Sequence, residues 1–148
     1  MGVGLIYSLG VWGPPLLHKY PSLSYMDMFV FLQFFLLAMI NLFTFSMYEI
    51  DTDEIDGHTS FIRAIGLKAA KGLLLLLSFL VLAISLYLIP QPIPHLLELE
   101  GIYLLMLAVL VWVFLDEKRF RLDHRYRAWA DAVFLFPIFI TFFSFDIA

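Results

Sequence analysis

Long apolar runs, separated by short polar segments, dominate the chain. A transmembrane helix needs about 20 mostly apolar residues to cross the hydrocarbon layer of a bilayer. Three runs meet that requirement, and we predict spans at 28–48, 72–89 and 101–115, the last of which residues 96–99 can extend. Proline cannot continue the helical hydrogen-bond ladder, so the prolines at 90, 92 and 94 are expected to end the second span.

Two further apolar runs lie towards the ends of the chain. Residues 129–145 give a fourth predicted span, with Asp131 near its start and Pro137 in its middle. The opening run MGVGLIYSLGVWGPPLL is shorter and rich in glycine, and it is a fifth span or the surviving end of a longer helix. The pattern predicts an all-α, polytopic transmembrane helical bundle, with four clear spans and a fifth at the N-terminus, forming one membrane-embedded domain over residues 1–148.

The composition supports a membrane protein. The chain is 62% hydrophobic and 15% charged, whereas soluble domains are about half apolar and a quarter charged. A chain of 148 residues cannot bury that apolar excess in a globular core. Cysteine is absent, which excludes disulfides and thiolate metal sites, and a net charge of −4 gives no basic surface for nucleic acid.

The basic residues predict an orientation. Eight of the nine Lys and Arg residues fall within residues 49–71 and 116–128. Short loops rich in Lys and Arg stay in the cytoplasm, and two crossings separate these segments, so we predict that both are cytoplasmic. The second segment is mainly a determinant of this topology, although its basic residues could also bind a diphosphate or anionic lipid headgroups.

The stretch from Glu49 to Asp56 contains five carboxylates. Glu49, Asp53 and Asp56 are spaced i, i+4 and i+7, which places them on one face if the first helix continues past Tyr48. Mg²⁺ prefers oxygen ligands and is commonly held by one or two carboxylates together with substrate phosphates. The stretch is therefore a candidate Mg²⁺ and phosphate site, and the alternative is a solvated acidic turn without a ligand.

The run 41–66, NLFTFSMYEIDTDEIDGHTSFIRAIG, resembles the second aspartate-rich region of the UbiA family of membrane prenyltransferases. Asn41 matches an Asn late in a transmembrane helix of the family, and Glu49 and Asp53 match its D-x-x-x-D pair. The remaining matches are Gly57, Ser60 and Gly66, the last of which ends a short amphipathic stretch. The later order of apolar helices, a proline-containing turn, a basic segment and a last helix is also similar. The resemblance therefore covers most of the chain, as the C-terminal half of such a protein.

This resemblance implies a helical bundle in which two aspartate-rich motifs hold Mg²⁺ and an isoprenyl diphosphate on the cytoplasmic side. The isoprenyl group then passes to a small-molecule acceptor. Glu49, Asp53 and Asp56 would bind Mg²⁺ and the diphosphate, and Asn41 would be a supporting polar contact. The first aspartate-rich motif is not found in these 148 residues. The resemblance therefore implies an incomplete enzyme that needs an N-terminal half or a second copy as its partner.

A second hypothesis comes from a different class of protein. The chain could be a non-catalytic integral membrane protein, or an assembly partner, whose acidic cytoplasmic loop contacts another protein. Such a protein would need no metal and would tolerate neutralisation of the three carboxylates.

Overall fold

The fold is described by a computed structural model covering residues 6, 8–11, 24–50, 61–121 and 125–137, and regular structure within these residues is helical. The helices are α1 (Tyr25–Tyr48), α2 (Phe61–Ile65), α3 (Leu67–Leu88), α4 (Leu96–Leu115), α5 (Glu117–Arg121) and α6 (Arg125–Ala132). A 3-10 turn, Val133–Leu135, follows α6.

Helices α1, α3 and α4 are each long and apolar enough to span a membrane. They contain 24, 22 and 20 residues, and at about 1.5 Å per residue each reaches about 30 Å or more, the thickness of the hydrocarbon layer. The prediction of an all-α fold is therefore confirmed for the described residues, and three of the predicted spans correspond to helices that are able to cross a membrane. These spans indicate an integral membrane protein.

The other two predicted spans fall largely outside the described residues. Of the predicted span 129–145, the structure covers residues 129–137, where α6 ends at Ala132 and passes into the 3-10 turn. Of the opening run, only residues 6 and 8–11 are covered, all in helical conformation. The fourth and fifth spans stay predictions.

Helix α1 begins three residues before the predicted start, because Ser24 caps it. The Ser24 hydroxyl accepts a hydrogen bond from the backbone N–H of Met26, and the Asp27 carboxylate accepts one from the N–H of Ser24 at 2.8 Å. This reciprocal capping box pairs backbone donors that the start of a helix otherwise leaves without partners. Local chemistry, and not hydropathy, therefore sets the boundary of the first span.

Helix α1 lies at the centre of the bundle. Its most apolar stretch is 61% buried, compared with 28% for α3 and 39% for α4, and it packs against both of those helices and against α6. The core lies between these helices, and its completely buried apolar side chains include Leu37, Ile40, Leu74, Val81, Met106 and Leu110.

The outer face of α3 is apolar and exposed. Leu75, Phe79 and Leu86 expose 54%, 65% and 74% of their surface. Lipid tails are as apolar as leucine, so such a face is stable within a bilayer, where helices associate through close packing and interhelical hydrogen bonds. Hydrogen bonds between buried polar side chains of different helices therefore contribute to holding this bundle together.

Candidate functional site

Glu49 marks the point where α1 ends. Helix α1 stops at Tyr48, and Glu49 is its C-cap, with its backbone N–H donating to the carbonyl of Phe45 at 3.0 Å. Acidic residues at the C-terminal end of a helix oppose the helix dipole, which favours a break before the acidic stretch. Ile50 is again in helical conformation, and Asp53 and Asp56 lie outside the described residues, so the shared face of the three carboxylates stays a prediction.

The Glu49 carboxylate pairs with the beginning of α6. Its Oε1 accepts a hydrogen bond from Arg127 Nη2 at 2.5 Å and a longer one from the Tyr126 hydroxyl at 3.4 Å. The hydrogen bond to Glu49, followed by the one to Tyr126, raises the pKa of Arg127 above its ordinary value, so the guanidinium stays charged. Glu49 and Arg127 belong to the two segments that were predicted to be cytoplasmic, residues 49–71 and 116–128. Their contact brings these two segments together at one end of the bundle.

Aromatic rings pack next to the Glu49–Arg127 pair. The Tyr48 and Tyr126 rings stack in parallel, with centroids 4.3 Å apart and planes within 4°. Phe45 meets Tyr126 edge-on at 5.7 Å, and the Tyr48 hydroxyl donates to the carbonyl of Val113 at 2.6 Å. Helices α1, α4 and α6 are therefore joined directly beneath Glu49 and Arg127.

A second aromatic cluster lies at the same end of the bundle. Trp112, Phe120 and Trp129 contact one another edge-on, with centroids 5.0 to 6.3 Å apart, and the Arg119 guanidinium lies 5.4 Å from the Trp112 ring centre. Both tryptophans are partly exposed. Tryptophan is enriched at membrane–water interfaces, so we infer that this end of the bundle lies at headgroup depth.

The segment predicted as a basic loop is largely helical. Helices α5 and α6 cover most of residues 116–128. In α5, Arg121 pairs with Glu117 at 2.7 Å across one turn, a spacing that supports a helix, and the carbonyl of Asp116 accepts hydrogen bonds from the first turn. The connection that follows the third predicted span therefore contains two short helices within the described residues.

Asn41 lies deeper in the bundle than Glu49. It precedes Glu49 by eight residues, which corresponds to about 12 Å along a helix. Asn41 is 8% exposed, and its Oδ1 has no hydrogen-bond partner among the described residues. The structure therefore places Asn41 within α1 and Glu49 at its C-cap, and it does not bring the two side chains together.

The chemistry of the Glu49 site suits a metal-bound phosphate. Within the described residues, both contacts of the carboxylate use Oε1, so Oε2 is the atom that a cation could take. Mg²⁺ is usually bound by one or two carboxylates plus phosphate oxygens and water, and the planar guanidinium of arginine matches phosphate oxygens in pairs. Within the described residues, no group of three or more Asp, Glu, His or Cys side chains could hold a metal ion. Asp53 and Asp56 are not among these residues.

Sequence reasoning missed Arg127 and Tyr126 as individual site residues. The available signal was topological: two segments of opposite charge were predicted on the same side of the membrane, each beside the end of a span. Which basic residue meets Glu49 depends on how α6 packs against α1, and a single sequence does not specify that contact.

No protein-family model matches the chain, and neither a curated protein nor a solved structure matches it. The similarity to the UbiA family therefore rests on residues 41–66 and on the order of the later elements, and it stays a prediction. The class of protein is defined by the fold alone, as a helical integral membrane protein.

Proposed function

We propose that this chain is the C-terminal half of a UbiA-like prenyltransferase, which transfers an isoprenyl group from an isoprenyl diphosphate to a small-molecule acceptor with the help of Mg²⁺. The observation that supports this proposal best is the pairing of Glu49 with Arg127 at one end of an apolar bundle. In this proposal the Glu49 carboxylate binds the metal ion and the Arg127 guanidinium binds phosphate. Both lie at the end of apolar helices that can hold an isoprenyl chain.

Each site residue has a distinct role in this proposal. Glu49, Asp53 and Asp56 hold Mg²⁺ and, through it, the diphosphate, while Arg127 binds diphosphate oxygens. Asn41 lies about 12 Å deeper along α1, where it gives polar support beside the isoprenyl chain. Bound Mg²⁺ supplies neutralisation of the negative charge on the leaving diphosphate. The fixed guanidinium of Arg127 adds a preorganised positive charge at the same place.

The full enzyme contains more than the described spans. We place residues 49–71 and 116–128 in the cytoplasm, with further spans at 129–145 and in the opening run. The first aspartate-rich motif of the family is supplied by an N-terminal half or a second copy, so this chain alone provides one half of the diphosphate site.

A panel of carboxylate variants tests the assignment. We expect Asp53→Asn and Glu49→Gln to weaken Mg²⁺-dependent binding of an isoprenyl diphosphate about tenfold or more, because even groups that only support a metal ligand change affinity 10- to 100-fold. Glu117→Gln is the matched control, since Glu117 lies at the same end but pairs with Arg121. Binding by Asp53→Asn that equals the wild type would refute the role of Asp53.

One observation favours the rival function, a non-catalytic membrane protein or assembly partner. Oε1 of Glu49 is already held by both Arg127 and Tyr126, which suits a structural tie between α1 and α6. In that case Glu49→Gln lowers the melting temperature, Asp53→Asn does not, and no variant changes binding of the diphosphate. The same panel, measured by both binding and melting, separates the two functions.

A further inference from the structure

A buried carboxyl group, Glu100, lies between the three spanning helices and far from Glu49. Glu100 of α4 and Gln33 of α1 are completely buried, and Ser85 of α3 is 1% exposed. The Gln33 amide donates from Nε2 to Ser85 Oγ and to Glu100 Oε2, each at 2.9 Å. Gln33 precedes Glu49 by 16 residues, about 24 Å along a helix, so this cluster is separate from the proposed diphosphate site.

Two acceptor atoms in the cluster have no partner. Glu100 Oε1 and Gln33 Oε1 are both buried, and neither makes a hydrogen bond within the described part of the chain. A buried polar atom without a partner costs free energy, and an unpaired charge among membrane helices costs more. One proton on the carboxyl group removes the charge and turns one of the two orphaned acceptors into a donor.

Among the described residues, no positive charge lies at this level of the bundle to balance an ionised Glu100. His95 and Glu98, at the start of α4, pair with each other at 2.9 Å and are well exposed. The lysines of α3 lie at least 14 residues from Ser85, about 21 Å along the helix, and α5 and α6 follow the opposite end of α4. The titratable groups on Glu100's helix and on the elements packed against it are Tyr25, Asp27, Tyr48, Lys68, Lys71, Tyr87, His95, Glu98, Tyr103, Glu117, Lys118, Arg119, Arg121, Arg125, Tyr126, Arg127 and Asp131.

We propose that Glu100 is a proton-binding site within the membrane-embedded bundle, with Gln33 and Ser85 holding the carboxylic acid in place. A divalent metal ion fits poorly, since it takes six or more oxygen ligands and the three side chains offer four oxygens at most. The Gln33 amide also directs its N–H groups at two of those oxygens, where a cation would have to bind.

The site couples proton binding to helix packing. The neutral acid is compatible with contact between α1, α3 and α4. The ionised form would place a negative charge between them with the neutral Gln33 amide as its hydrogen-bond donor and no positive charge beside it among the described residues. Release of the proton therefore requires water to enter or the helices to separate.

Infrared spectroscopy of the full chain in phosphatidylcholine vesicles tests the proposal. The carbonyl stretching band of a carboxylic acid is expected in the wild type and in the control Glu98→Gln. In Glu100→Gln the band should be smaller by one carboxyl group.

Ser85→Ala gives an independent measurement if Glu100→Gln does not fold. It removes one of the two acceptors of the Gln33 amide, so the acid band should stay and shift in frequency. An acid band of the same size in Glu100→Gln, or an acid band whose frequency Ser85→Ala leaves unchanged, overturns the proposal. Loss of the wild-type band on addition of Na⁺ or Mg²⁺ at constant pH also overturns it, because a metal ion would then be the occupant.

Discussion

The ring of Tyr126 is expected to hold the Glu49 end of the bundle together, and its replacement measures that contribution. Tyr126 is 3% exposed, stacks on Tyr48 and meets Phe45 edge-on. Truncating a buried aromatic residue to alanine costs about 3–5 kcal/mol, of which an aromatic pair accounts for about 0.5–1.5 kcal/mol. We therefore expect Tyr126→Ala to destabilise the protein by about 3 kcal/mol or more.

Tyr126→Phe separates the ring from the hydroxyl. The hydroxyl takes part in two long hydrogen bonds, of 3.4 Å with Glu49 and 3.3 Å with Arg127. Bonds of that length are weak, so Tyr126→Phe should cost less than about 1 kcal/mol. Tyr87→Ala is a matched control, because Tyr87 is 46% exposed and has one tilted ring contact, with Phe29 at 5.4 Å, worth about 1 kcal/mol.

The assay is loss of helical circular dichroism on heating the purified chain in detergent micelles. The expected order of melting temperatures is wild type, Tyr126→Phe, Tyr87→Ala and then Tyr126→Ala, with the last well separated. Equal melting of Tyr126→Ala and Tyr87→Ala would show that the stacked ring does not join α1 to α6. Equal melting of Tyr126→Phe and Tyr126→Ala would assign the effect to the hydroxyl instead.

Three further predictions concern the bundle itself and use the same melting assay. Leu110 is completely buried, so Leu110→Ala should cost about 2–5 kcal/mol of stability. Leu105 lies on the same helix and is 53% exposed, so Leu105→Ala should cost less than about 1 kcal/mol. Equal effects of the two substitutions would contradict the packing of α4. Ser24→Ala should cost about 1 kcal/mol by removing the cap of α1, and an unchanged melting temperature would argue against the capping box. A Cβ added at Gly66 would have no atom within 4 Å, so any cost of Gly66→Ala comes from the backbone. Gly66 has a φ of +81°, and alanine in that conformation should cost about 1–3 kcal/mol. An unchanged melting temperature would exclude that backbone conformation.

Hydropathy predicted the membrane helices well because each of them is apolar along most of its length. The predicted spans 28–48, 72–89 and 101–115 correspond to α1, α3 and α4. Their starts differ for local reasons. Ser24 caps α1 early, and α3 begins at Leu67 because Lys68 and Lys71 stay exposed in its first turns and do not interrupt the helix.

The polar contacts between helices could not be predicted in the same way. Gln33 was a minor polar residue within an apolar run, and Glu100 stood beside Gly101 at the edge of the third predicted span. Their hydrogen bond spans 67 positions of the chain, and neither residue's spacing indicates the other. The same limitation applies to Glu49 and Arg127, whose contact depends on the packing of α6 against α1.

The most direct test of the proposed function is binding of an isoprenyl diphosphate to the detergent-purified chain, titrated with Mg²⁺ and with EDTA. The titration is repeated with a UbiA-like N-terminal half co-expressed, because the proposed site is shared between the two halves. We predict saturable binding with Mg²⁺ that EDTA abolishes, at least when both halves are present. Absence of Mg²⁺-dependent binding under both conditions would contradict the prenyltransferase proposal and favour a non-catalytic membrane protein.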